Sequence, residues 1–192
     1  MKYLISLTVL CFASCTLLQN NHIMYRAGKM LPDSTYVYSL PYAKGESYRV
    51  VQGSHSFFSH YGDFAIDFKM KPGTAIHAAR SGVVIFARGN NTGGGITRKF
   101  VGKGNGITIR HDDGTYAHYW HLKHNGILVR LGDTVTKGQR IGYSGSTGFS
   151  AFPHLHFEVT RQPRIGRDEV PVVFETEKGA KFLQPPRRYK SL

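Results

Sequence analysis

Short apolar runs alternate with turn signals along most of this chain. From Tyr36 onward these runs are separated by glycine- and aspartate-containing turns, and no stretch keeps a 3.6-residue period. This pattern is typical of short strands joined by tight turns, with little helix. The strongest case is a hairpin in which residues 106–111 and 115–122 flank the turn Asp112-Asp113-Gly114. We therefore expect a mostly β fold built of antiparallel sheets.

One glycine-rich segment interrupts the regular spacing of strands and turns. Residues 90–104 combine glycines with the basic residues Arg98, Lys99 and Lys103. A segment of this length without an apolar pattern predicts a mobile loop, and such loops often border functional sites.

The N-terminus has the pattern of an export signal. Lys2 precedes an apolar run over residues 3–13, which has the length of a signal-peptide core and is short for a membrane span. The run ends in Ala13-Ser14-Cys15, which resembles a bacterial lipobox, so Cys15 is a candidate for lipidation. The alternative is an ordinary cleaved signal and a soluble secreted protein. In either case we expect an exported protein, periplasmic or in the cell envelope.

Length and residue pattern together predict one folded domain. The 192 residues suit a single domain. We expect a signal over residues 1–15, a tether over 16–35, the domain over 36–176 and a basic C-terminal tail over 177–192. Both cysteines, Cys11 and Cys15, lie in the predicted signal, so the domain itself can form no disulfide.

Net charge points to an anionic partner. The chain has 25 Lys and Arg against 12 Asp and Glu, a formal charge of +13, which favours polyanionic surfaces. The basic residues are dispersed and form no recognisable nucleic-acid-binding motif. We therefore expect an anionic cell-envelope surface, and not a nucleic acid, as the partner of this charge.

The chemistry-bearing pattern is a pair of histidines two residues apart. On a strand, His154 and His156 project from one face while Leu155 and Phe157 enter the other. Two imidazoles on one face can share a metal ion. Earlier in the chain, Asp67 alternates with apolar residues, and a lone carboxylate in such a strand needs a partner.

Three blocks of sequence carry a resemblance to a known family. Over about residues 36–174 the chain resembles the lysostaphin-like (LytM-type) zinc metalloendopeptidases, which hydrolyse peptide cross-links in bacterial cell walls. The blocks are Ser59-His60 through Ala65-Ile66-Asp67-Phe68, Tyr119-Trp120-His121-Leu122 with Gly132-Asp133, and Ser144-Gly145-Ser146-Thr147-Gly148 leading into Pro153-His154-Leu155-His156-Phe157. All three occur in the family's order.

This resemblance implies a fold, a cofactor and a set of site residues. It implies antiparallel β-sheets that form a groove, related in topology to the duplicated hybrid motif, and one zinc ion per chain. The zinc ligands would be His60, Asp67 and His156, and His121 and His154 would act on the water and the oxyanion. Six residues separate His60 from Asp67, more than is usual in the family, so Asp63 stays open as an alternative ligand.

The implied ligands suit catalytic zinc. Two neutral imidazoles and one carboxylate leave a net charge of +1 and an open fourth position for water. Such a charge acidifies the bound water, and two further histidines have the pKa range for proton transfer and for oxyanion binding. The implied substrate is a peptide of bacterial peptidoglycan.

Two choices remain open at this level. His118 and His121 lie three apart, so on a regular strand they would face opposite sides and only one would reach the groove. We expect it to be His121, because its distance to Gly132 suits the family and Tyr119 would share its face.

Other hypotheses for the function of the whole protein are a non-catalytic wall-binding protein, a lipoyl-type or sugar-transport β fold with a phosphorylated histidine, and a basic nucleic-acid-binding protein.

Overall fold

The structure is a computed structural model that describes residues 23–24, 36–54 and 63–192. Within these ranges it contains sixteen strands and one 3-10 turn, Arg98–Phe100, and no helix that is long and apolar enough to cross a membrane. The strands are β1 Val37–Tyr38, β2 Ser47–Gln52, β3 Ile66–Lys69, β4 Ala75–His77, β5 Gly82–Arg88, β6 Gly94–Gly95, β7 Gly106–Arg110, β8 Tyr116–Trp120, β9 Leu122–Ile127, β10 Thr134–Val135, β11 Arg140–Ser144, β12 Gly148–Phe149, β13 His154–Thr160, β14 Val173–Thr176, β15 Gly179–Phe182 and β16 Arg188–Lys190. The predicted mostly β fold is confirmed.

One large antiparallel sheet organises the domain. Its eight strands run in the order β10-β5-β7-β8-β13-β3-β2-β16, and every neighbouring pair is antiparallel. Smaller sheets join β4, β11 and β9, and β1, β14 and β15, while β6 and β12 form a short parallel pair. The central position of β13 brings residues from distant parts of the chain beside it.

Strict alternation along the central strands separates a core face from a polar face. In β13, Leu155, Phe157 and Val159 are fully buried in the hydrophobic core, where each contributes about 1.5–3 kcal/mol. The intervening side chains of His156 and Glu158 lie on the opposite face. This alternation agrees with the prediction that the two histidines of β13 share one side of the sheet.

The predicted hairpin is confirmed. Strands β7 and β8 pair in register from Gly106 opposite Trp120 to Arg110 opposite Tyr116. At their turn Gly114 has a φ of 80°, and the Asp113 carboxylate accepts a hydrogen bond of 3.0 Å from the amide of Thr115. The two turn residues therefore supply the backbone freedom and the side-chain acceptor that such a turn needs.

The C-terminal residues belong to the sheets, which differs from the predicted tail over 177–192. Strand β15 pairs with β14, and β16 pairs with β2 at the edge of the large sheet. Phe182 and Leu183 are buried, whereas the basic side chains of Arg188 and Lys190 stay exposed. The high content of basic residues concealed this alternation of buried and exposed positions.

The glycine-rich segment over residues 90–104, predicted as a loop, is largely irregular, but backbone contacts join it to neighbouring segments; its mobility stays a prediction. Its strand β6 pairs with β12, and the guanidinium of Arg88 donates to the carbonyls of Gly102 at 2.8 Å and Gly104 at 2.6 Å. A Cβ atom on Gly94 would lie 1.7 Å from the carbonyl oxygen of Ser146. Glycine is therefore required for the close approach of the two backbones.

The predicted signal over residues 1–15 lies outside the described residues, and so does the predicted tether over 16–35 apart from residues 23–24. His60 falls in the range 55–62, which also lies outside them.

Candidate active site

Asp67 and His156 form the central pair of the site. They lie opposite each other on the neighbouring strands β3 and β13, and Asp67 Oδ1 is 3.0 Å from His156 Nδ1. The other carboxylate oxygen of Asp67 accepts a hydrogen bond of 2.8 Å from Gln52 Nε2. Sequence analysis did not single out Gln52, which is a polar residue at the end of β2.

Glu158 contacts the second nitrogen of His156. Its Oε2 lies 3.5 Å from His156 Nε2, and its Oε1 accepts a hydrogen bond of 2.6 Å from the amide of Gly166. Burial lowers the pKa of His156, but its hydrogen bonds to the carboxylates of Asp67 and Glu158, together with their charges, outweigh burial and raise that pKa to about 10. Glu158 was not predicted to have a role, although it follows His156 on the same face.

His154 is held by a backbone carbonyl. Its Nδ1 lies 2.7 Å from the carbonyl oxygen of Phe152, which can only accept, so Nδ1 carries the proton and donates. Its Nε2 lies 3.7 Å from Asp67 Oδ1. Burial lowers the pKa of His154. The ring is therefore neutral at pH 7, with Nε2 unprotonated on the side of Asp67.

His121 reaches the same place from the end of β8. Its ring centroid lies 4.6 Å from that of His154 and 6.0 Å from that of His156. Its Nδ1 donates to the carbonyl oxygen of Thr147 at 2.8 Å, so its Nε2 is also the unprotonated nitrogen. Burial, and then the neighbouring histidines, lower its pKa to about 3.

The expected arrangement of His118 and His121 on opposite faces is wrong. In β8, His118 pairs with Glu158 of β13 and so lies on the polar face, and Tyr119 is buried in the core. His121 lies beyond the last residue of β8 and has a φ of 64°, which breaks the alternation and returns its side chain to the side of His154. Tyr119 was expected to lie on the same face as His121, but Tyr119 lies in the core and His121 lies on the side of His154.

His118 is nevertheless separated from the site chemistry by its own partners. Its Nδ1 is 3.0 Å from Thr108 Oγ1 and its Nε2 is 2.9 Å from Thr160 Oγ1, so both ring nitrogens are bonded. The residue is 1% exposed, and burial lowers its pKa to about 4. Its contacts fit a buried structural histidine.

The chemistry of the Asp67 and His156 donors fits a zinc site that needs further donors. Carboxylate oxygen and imidazole nitrogen are both common zinc ligands. Among the residues in the described ranges, no three His, Cys, Asp or Glu side chains are arranged to hold a metal ion. Asp63, which is described, is thus not grouped with Asp67 and His156, while the predicted ligand His60 lies outside those ranges.

Comparison with known families identifies the domain. The model of a family described as peptidase family M23 matches residues 60–169, which is more than half of the chain. The chain belongs to peptidase family M23. The matched range covers Asp67, His121, His154 and His156, and the resemblance to lysostaphin-like peptidases is confirmed.

Several relatives of this M23 chain are known. Lysostaphin of Staphylococcus simulans is 38% identical over 117 residues, which are 61% of this chain and 21% of that protein. The glycyl-glycine endopeptidase ALE-1 of Staphylococcus capitis is 37% identical over 117 residues, 61% of this chain and 29% of its own. The peptidoglycan DD-endopeptidase ShyA of Vibrio cholerae is 39% identical over 93 residues, 48% of this chain and 19% of ShyA. The chain thus spans less than a third of the length of these relatives.

Solved structures agree with this M23 assignment. A mutant catalytic domain of the prophage-encoded M23 protein EnpA from Enterococcus faecalis is 28% identical with a TM-score of 0.51, over 67% of this chain and 93% of that one. A structure of lysostaphin from Staphylococcus simulans is 32% identical with a TM-score of 0.50, over 71% of this chain and 51% of that one.

Proposed function

We propose that this M23 chain is a zinc-dependent endopeptidase that hydrolyses peptide cross-links or stem peptides of bacterial peptidoglycan. The observation that carries the proposal is the convergence of His121 and His154 on the Asp67–His156 pair. A non-catalytic wall-binding protein would have no need of two neutral histidines beside Asp67 and His156, whose side chains are of the types that bind zinc.

Zinc would be held by His60, Asp67 and His156, one ion per chain. When bound, zinc polarises the scissile carbonyl and makes hydroxide available from water near neutral pH. Gln52 and Glu158 would support this set, since each contacts one of its members.

His121 and His154 would carry the proton transfers. Both rings are neutral and both keep Nε2 unprotonated, because each donates Nδ1–H to a backbone carbonyl. An unprotonated Nε2 can accept the proton of the attacking water. The same nitrogen, once protonated, can donate to the oxyanion or to the leaving amine.

The named relatives support the proposed substrate class. ShyA is a peptidoglycan DD-endopeptidase and ALE-1 is a glycyl-glycine endopeptidase. Both names describe cleavage of a peptide bond within a chain, which supports the same reaction for the M23 domain of this protein.

Location and anchoring form a further part of the proposal. The apolar N-terminal run supports export to the periplasm or cell envelope, and the Ala13-Ser14-Cys15 ending supports a membrane anchor through lipidated Cys15. The formal charge of +13 supports attraction to an anionic envelope surface.

The decisive experiment is digestion of purified peptidoglycan by the zinc-loaded protein, with products identified by mass spectrometry. We expect new peptide termini that appear with the wild type and disappear with His121→Ala. The exposed histidine His124 offers a matched control, and His124→Ala is expected to digest normally. Binding of intact walls without any cleaved bond would favour the non-catalytic alternative.

A further inference from the structure

A buried polar cluster lies directly behind His121. It consists of Asn105 and Thr147, which are 0% and 5% exposed. The backbone N–H of Asn105 donates to Thr147 Oγ1 at 2.9 Å, and Thr147 Oγ1 donates to the carbonyl oxygen of Leu122 at 2.7 Å. Such a chain of hydrogen bonds in a buried environment is rigid, because each lost bond would leave a buried polar group unpaired.

The same cluster clamps the peptide groups of Leu122, the residue after His121. The backbone carbonyl oxygen of Asn105 accepts a hydrogen bond of 3.1 Å from the backbone N–H of Leu122. The side-chain Nδ2 of Asn105 donates to the backbone carbonyl of Leu122 at 3.4 Å. Leu122 is therefore fixed at both of its backbone polar groups. The backbone immediately after the ring of His121 has little freedom to rotate.

These hydrogen bonds to Leu122 directly follow an unusual backbone conformation at His121. His121 has a φ of 64°, in the left-handed region that residues other than glycine rarely adopt. Residues held there persist only when their surroundings determine them, and they cluster at functional sites. The left-handed turn brings the ring of His121 to His154, so the contacts that hold Leu122 also determine where the ring of His121 lies.

The cluster also determines which nitrogen of His121 carries a proton. The acceptor of His121 Nδ1–H is the carbonyl of Thr147, the same residue whose hydroxyl bonds Leu122 and Asn105. Displacement of Thr147 would remove the preference for Nδ1–H. A ring protonated on Nε2 instead would offer no acceptor to a water molecule at that position.

We propose that Asn105 and Thr147 are positioning residues for His121, which hold its backbone in the left-handed conformation and its ring in the Nδ1–H tautomer. This inference rests on the proposed function for the role of His121 in proton transfer. Neither residue needs to touch the substrate. They act through the orientation of the ring, where a displacement of about 1 Å can cost up to a hundredfold in rate.

The first test removes one hydroxyl group. Thr147→Val keeps the shape of the side chain and loses both hydrogen bonds, whereas Thr147→Ser keeps the hydroxyl. With zinc-loaded protein and a model peptide, we expect kcat of Thr147→Val to fall about tenfold or more with KM and zinc content unchanged. Thr147→Ser should stay close to wild type.

A matched control separates positioning from general stability. Thr176 is also buried, and its hydroxyl donates to the carbonyl of Gly179 at 2.7 Å in the turn between β14 and β15. Thr176→Val therefore loses a comparable bond outside the site and should keep its kcat. If Thr147→Val does not fold, Asn105→Asp, which loses the Nδ2 donors to Leu122 and Asn91, is measured in its place.

The second readout needs no activity. Nitrogen-15 spectra of histidine-labelled protein distinguish the two tautomers, and the signals of His121 are assigned by their loss in His121→Gln. We expect the Nδ1–H tautomer alone in the wild type and a mixture in Thr147→Val. Equal kcat and an unchanged tautomer in Thr147→Val would overturn the inference. A wild type that cleaves no peptide would overturn the proposed function, while the spectra would still decide the role of the cluster.

Discussion

The rings of His121 and His154 lie 4.6 Å apart, and each donates its Nδ1–H to a backbone carbonyl. The main chain therefore selects the Nδ1–H tautomer of both rings, which leaves both Nε2 atoms unprotonated. Because burial lowers the pKa of both rings, they stay neutral at pH 7 and do not repel each other. Two proton acceptors can thus coexist in a small buried space.

The metal ligands give the first prediction. Replacement of His60, Asp67 or His156 by Ala should each abolish stoichiometric zinc, because catalytic zinc depends on three protein ligands. Asp63→Ala should retain the metal and is the matched control. The measurement is zinc per chain by elemental analysis after dialysis. Loss of zinc in Asp63→Ala with retention in His60→Ala would reverse the assignment.

Local pattern was sufficient for the elements that determine most of the fold. The β7–β8 hairpin and the face shared by His154 and His156 follow from alternation and turn residues alone. The pairing of Asp67 with His156 does not, because it joins strands distant in sequence. Its prediction depended on the family resemblance.

Other features could not be predicted because they depend on contacts distant in the chain. The left-handed backbone of His121 is not encoded by its own side chain and arises where Asn105 and Thr147 hold Leu122. Strand β16 forms by pairing with β2 near the other end of the domain. Because the backbone departs from a regular strand at His121, counting residues along β8 wrongly placed His118 and His121 on opposite faces.

Lipidation of Cys15 can be checked directly. Because Ala13-Ser14-Cys15 ends the apolar run, we expect mature protein from the native envelope to begin at a diacylglyceryl-modified Cys15. Mass spectrometry of the N-terminal peptide measures this, and Cys15→Ser should lose the modification and leave the membrane fraction. An unmodified N-terminus beyond residue 15 would indicate simple secretion.

The net charge of +13 predicts salt-dependent binding to intact walls. Exposed charges are screened beyond about 8 Å at physiological ionic strength, so the affinity for whole walls should fall steeply as salt rises. Sedimentation of the protein with walls over a salt series measures this. Hydrolysis of a small neutral peptide, followed in parallel, should change far less. An affinity that does not depend on salt would remove charge as the cause.

Glu158 is expected to strengthen metal binding through His156. A carboxylate that accepts the second ring proton of a metal-binding histidine fixes its tautomer, and its loss typically costs tenfold to a hundredfold in affinity. Glu158→Gln should weaken zinc binding by that factor in competition with a chelator. Glu175→Gln, which changes an exposed carboxylate, is the control. Equal affinities in both variants would contradict the expected role.

The two histidines near the end of β8 give the sharpest contrast. His121→Ala should keep its zinc and its fold and lose on the order of a hundredfold or more in turnover, the scale of a lost acid or base group.

His118→Ala should do the opposite. It leaves the hydroxyls of Thr108 and Thr160 without their ring partner, so the free energy of unfolding should fall by about 1–3 kcal/mol while turnover of the folded protein is nearly unchanged. Denaturant unfolding and peptide hydrolysis on the same samples separate the two effects. If instead His118→Ala lost turnover and His121→Ala kept it, the acid or base group would be the histidine between the two threonines.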